Sequence, residues 1–179
     1  MIKKNYKHGR CIDAARFIMI VTAFEWEFRR SYPKGVTKKA STIEAENTAT
    51  VAMQELIDSS SGKLKKIYKF LSGLIKSDSL ETEINQIGKD YDEAIGNFGK
   101  HLYALNKEEF KYSKMGERLA KQRNHFAHGD LDKEFIDESL LDLVYLEYII
   151  YAMQLRYYGI DDDNIRKSIN ELFGCNYAL

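Results

Sequence analysis

The chain has a single proline, Pro33, and two cysteines, Cys11 and Cys175, in 179 residues. With so little proline, long stretches are free to stay helical, because each internal proline would remove a backbone donor and clash with the preceding turn. Two cysteines far apart, with no Cys-x-x-Cys spacing, offer neither a disulfide framework nor a thiolate metal site. The expectation is a protein of a reducing compartment, the cytoplasm. A dominant charge is missing too: 27 Lys and Arg balance 27 Asp and Glu. No global field therefore draws the chain to nucleic acid or membrane, and any such partner has to meet a local patch. Nor is there an apolar run near the roughly eighteen residues of a membrane span. Glu25 and Glu27 interrupt the first hydrophobic stretch, and no apolar signal core follows the segment from Met1 to Arg10.

What is present is apolar spacing of three and four. Hydrophobic residues make up 44% of the chain, enough for one well-buried domain and, at this length, not a default for two. The expected fold class is all-α, an up-and-down helical bundle with additional short helices, formed by residues 1–179 as one domain. Helices are expected over Asp13–Ser31, Ile43–Ile57, Lys63–Ile75, Leu80–Leu105, from Leu140 to near Gly159, and over Asp161–Phe173, with another leading into residue 128. The first is apolar around nearly its whole circumference, which predicts cover on several sides or packing against a second subunit. Its early start suggests the C-terminal domain of something longer. Asp78 or Ser79 is positioned to cap the fourth helix, and Gly88, Gly96 and Gly99 inside it predict either a break or close helix packing.

The strongest chemical signal is Arg123-Asn124-His125-Phe126-Ala127-His128-Gly129 at an expected helix end. Arginine offers a planar, permanently charged fork for phosphate oxygens, and histidine can move a proton near neutral pH. These residue types suit a phosphodiester. Five positions nevertheless turn Arg123 and His128 about 140° apart on an ideal helix. Either the helix unwinds before His128, as Gly129 permits, or the site combines Arg123 of one chain with His128 of another. Outside such a site, Arg123 would be a half-buried arginine paired with Glu25 or Glu27, and His128 a helix-terminal histidine near the last carbonyls.

Lys107, Lys111, Lys114, Arg118, Lys121, His125 and His128 follow at steps of four and three, one basic stripe if the helix is continuous. Lys114, Arg118, Lys121 and His125 are therefore the expected RNA-backbone contacts, since phosphate neutralisation supplies most sequence-independent affinity. Glu108, Glu109 and Glu117 stand among them, as on an ordinary solvated face. Met115, Leu119, Gln122 and Phe126 occupy the side expected to face the core.

Arg123-Asn124-x-x-x-His128 resembles the Arg-x(4–6)-His signature of HEPN domains, including a polar residue directly after the arginine. The layout from Cys11 to Gly159 is similar to that family, closest to its Apea-like subgroup. The resemblance implies a dimerising helical bundle whose paired motifs form a metal-independent endoribonuclease site without a cofactor, often in phage defence or toxin-antitoxin systems. It makes Arg123 and His128 the catalytic pair, with Asn124 auxiliary, and RNA, a second copy and an antitoxin or sensor domain the expected partners. The chemistry fits independently. RNA carries its own nucleophile in the 2′-hydroxyl, so His128 as general base or acid and Arg123 as stabiliser of the phosphorane-like transition state would suffice. Two other readings compete. His125 and His128, with Asp130 or Asp132, have ligand types acceptable to zinc, but no His-Glu-x-x-His arrangement accompanies them. A noncatalytic dimeric module is the other, although Asp130 stands where family members paired with nucleotidyltransferases often carry tyrosine.

Overall fold

A computed structural model of the chain describes residues 12–128 and 134–175. Among these residues there are seven helices and no strand: α1 (Ala14–Ser31), α2 (Ala40–Ser59), α3 (Gly62–Leu74), α4 (Leu80–Leu105), α5 (Tyr112–Ala127), α6 (Ser139–Tyr157) and α7 (Asp162–Phe173). They fall into two compact units. One holds α1 with α4 to α7, and the other, residues 36–79, is the α2–α3 hairpin.

In the larger unit α1 packs on α6 and α4 on α5, with α5 and α6 in contact and α7 closing against α4 and α6. The apolar periodicity produces this arrangement. Phe17, Val21, Phe24 and Phe28 recur at steps of four, three and four, so one side of α1 enters the core fully buried. Ile84, Ile87, Ile95 and Phe98 do the same for α4, and Leu143, Leu146, Ile149 and Met153 for α6. Local chemistry fixes the ends. The Asp13 carboxylate accepts the Arg16 N–H at 2.8 Å and the Asp161 carboxylate that of Asn164 at 2.9 Å, each satisfying a donor that a helix start leaves open. Gly174 closes α7 in the left-handed region at φ 59°, a conformation costly for a residue with a side chain.

Gly88 and Gly99 of α4 mark close helix packing, and the helix does not break. A Cβ on Gly88 would stand 2.7 Å from the Tyr112 ring, and one on Gly99 would stand 2.8 Å from the Tyr145 ring. Those rings cannot easily withdraw. Tyr145 donates to the Ile95 carbonyl at 3.2 Å, and its hydroxyl lies 2.8 Å from that of Tyr112. α1 is covered on several sides, by α6, α5 and α4, while Met19 is 70% exposed and Trp26 59%. Trp26 is held by the Arg30 guanidinium, 5.2 Å from its ring centroid, which packs the indole while leaving it in solvent.

In the hairpin, Lys38 bridges Glu46 at 2.8 Å and Asp78 at 3.2 Å, and Asp78 also accepts the Val36 N–H at 2.9 Å. These contacts join the two ends of residues 36–79.

Candidate functional site at the end of α5

Met115, Leu119, Gln122 and Phe126 are all buried, so α5 presents the core face its spacing demands. That orientation sets the rest of the motif. Arg123 is turned toward α1, where its guanidinium meets the Glu25 carboxylate at 3.0 Å, with the arginine side chain 42% exposed and the glutamate 12%. Glu27 faces elsewhere. It is buried, accepts from Gln154 at 2.9 Å and pairs with Arg30 at 2.6 Å. The two acids lie two positions apart, hence about 200° around the helix, and cannot serve one partner. Of the pair, Glu25 is the one that belongs to the motif.

Asn124 is exposed and His128 is exposed at the C-cap of α5. The backbone leaves the helix at His128, at φ −87° and ψ 6°, yet its N–H still donates to the Asn124 carbonyl at 3.1 Å. His128 therefore keeps its helical station, about 140° around from Arg123. Ending the helix does not swing the two side chains onto one face. Gly129, to which the unwinding was ascribed, lies outside the described residues, as do Asp130 and Asp132 of the zinc reading. Among the described residues no cluster of three or more His, Cys, Asp or Glu is arranged to hold a metal ion.

The basic stripe is not continuous. Lys107 lies in the turn after α4, and Lys111 caps α5 and pairs with Glu109 at 2.9 Å. Lys114 is exposed and pairs with Glu117 at 3.1 Å, while Lys121 is exposed. Arg118 departs most from the expectation. Its side chain is 14% exposed and grips Asp142 through Nε and Nη2, each at 2.7 Å, with Glu138 at 3.1 Å from Nη1. Tyr103 donates to the same Asp142 carboxylate. Burial and that carboxylate push the Tyr103 phenol well above its ordinary value, so it remains a donor. Asp142 and Tyr103 lie 24 and 15 positions from Arg118, and no local spacing announces either. His125 is half-buried, and its Nδ1 is enclosed without a hydrogen-bond partner among the described residues.

Two further residues position the motif: Gln122, expected on the core side, and Phe135, which no sequence spacing announced. Gln122, fully buried, accepts the Ile136 N–H at 2.7 Å. Phe135 packs against Phe126 and Phe17, with ring centroids 5.5 and 5.9 Å apart. The chain is thus pinned to α5 immediately before α6 begins.

No family model matches the chain, and no curated protein or solved structure matches it either.

Proposed function

We propose that this protein is a metal-independent endoribonuclease of the HEPN type, with Arg123, His128 and Asn124 at its reacting centre, acting in phage defence or a toxin-antitoxin system. The observation that carries the reading is the last turn of α5. An arginine is held in place by a carboxylate at 3.0 Å beside an exposed asparagine and an exposed helix-terminal histidine. Because Arg123 and His128 point to different sides, the site is composite, combining the arginine of one copy with the histidine of a second. His128 removes the 2′-hydroxyl proton or protonates the departing 5′-oxygen, and Arg123 stabilises the charge that builds on phosphorus. Asn124 orients a phosphate oxygen. Cleavage leaves a 2′,3′-cyclic phosphate and a 5′-hydroxyl.

The test uses end-labelled single-stranded RNA in excess EDTA. The parent is expected to cleave, and Arg123→Ala and His128→Ala each to lose activity with helicity intact. Mixed in equal amounts, the two inactive variants are expected to recover about a quarter of parental activity, since half the dimers are mixed and each carries one intact composite site. RNA methylated at every 2′-hydroxyl should survive. Cleavage of that RNA, or equal cleavage by both single variants, would overturn the reading.

The Arg123–Glu25 pair also favours a second reading, a noncatalytic dimeric module in which the arginine ties α5 to α1. Absence of cleavage across diverse RNAs would select it.

A further inference from the structure

The α2–α3 hairpin covers very little of its own apolar surface. Ile57 is the buried apolar residue of the two helices. Eight of its large hydrophobic side chains are 40 to 69% exposed, half of all such side chains among the described residues. They are not scattered. On α3, Leu64, Ile67, Leu71 and Leu74 fall at steps of three, four and three, the a/d spacing of a helix-packing seam. The partly covered residues of α3 are instead Lys65, Tyr68 and Ser72, centred about 120° around the helix from the leucine stripe. On α2, Val51 and Ile43 line an open concavity with Asn47, Thr48, Glu44 and Glu55, and Val51 lies about 130° around the helix from the covered residues Glu46, Thr50, Met53 and Ile57. Each helix thus has one neighbour and a second apolar side facing nothing within its own hairpin, which is the pattern of a helix in a four-membered bundle.

Charge says what fits there. α2 carries Glu44, Glu46, Glu55 and Asp58 and no lysine or arginine, whereas α3 carries Lys63, Lys65, Lys66 and Lys69 and no acid. The ion pairs described within this unit run from Lys38 to Glu46 and Asp78, and among the described residues none involves a lysine of α3. An amphipathic, lysine-rich α3 alone would suit an anionic membrane surface. The acidic face of α2 beside it would be repelled there, but it matches α3 of another copy.

We infer that the hairpin is a self-docking surface: α3 of one copy packs its leucine stripe and lysines against the Val51 face and glutamates of α2 in a second copy, and the reverse contact forms symmetrically. A twofold axis along the helices makes every neighbouring pair antiparallel and yields a closed four-helix bundle from two hairpins. The inference does not depend on the nuclease reading, and its readout is association.

The test is sedimentation equilibrium of the full chain with exposed charges reversed. Lys63→Glu with Lys66→Glu cancels the net positive charge of α3, and Glu44→Lys with Glu55→Lys cancels the net negative charge of α2. Each variant alone is expected to lose at least about tenfold in self-association, because the attraction between an acidic and a basic helix is lost at both seams, with unchanged helicity. Their equimolar mixture is expected to regain association as a heterodimer, since one of its seams is again acid against base. A monomeric parent, variants that associate like the parent, or a mixture that stays dissociated would overturn the inference. A monomeric parent that sediments with phosphatidylserine vesicles would replace it with a membrane surface.

Discussion

Glu25 and Glu27 show how much one position of helix phase decides. Glu25 is partly open to solvent and holds an exposed arginine, so Glu25→Gln should cost less than about 1 kcal/mol in a urea melt. Under the nuclease reading the same change frees Arg123 from its anchor, and kcat is expected to fall roughly tenfold to a hundredfold as the guanidinium loses its station. Glu27 is buried between Arg30 and Gln154. Glu27→Gln should cost about 2 kcal/mol, the worth of charged hydrogen bonds, and reduce cleavage only in proportion to the unfolded fraction. Equal stability losses for the two variants would contradict these placements. The motif was legible in the sequence, and so was a carboxylate partner for Arg123. Which acid supplies it was not, because α1 is apolar on most sides and its spacing does not fix the phase of residues 25 and 27.

At the scale of elements, the Arg118–Asp142 contact fastens α5 to α6 through two charge-assisted bonds with the carboxylate fully enclosed. Asp142→Asn should destabilise by about 3 to 5 kcal/mol because it leaves a buried guanidinium short of its counter-charge. Replacing both residues at once by Met and Leu should recover most of that loss, because an apolar pair of similar volume avoids the desolvation that a lone charge suffers. Chemical denaturation of the two single variants and the double variant completes the cycle. Gly99→Ala is a companion test of α4 against α6. The added methyl meets a hydrogen-bonded tyrosine ring, and a loss of about 1 to 3 kcal/mol is expected. The helices themselves were readable: six expected spans recur in the fold, and α4 keeps its expected ends at Leu80 and Leu105. The basic stripe was misleading because identical spacing describes a solvated row and a row whose middle member turns inward. Only the remote carboxylate at position 142 separates them.

At the scale of the molecule, tyrosine is the common fastening of the larger unit. Burial raises the hydroxyls of Tyr32, Tyr91, Tyr103, Tyr112, Tyr145 and Tyr148 above the ordinary phenol value. A proton held more tightly in the fold than in the unfolded chain stabilises the fold fully below the unfolded value of about 10, and that stability is lost as pH rises through the folded values. In an alkaline titration, tyrosinate absorbance from these groups should therefore rise together with loss of helicity. Tyrosinate appearing while helicity is fully retained would contradict this. The clamp on residues 135 and 136 has a different consequence. Gln122 and the Phe17–Phe126–Phe135 cluster fix where the chain returns, and the α5 cap fixes where it leaves. Position 128 is thereby presented from a frame anchored in the core on both sides.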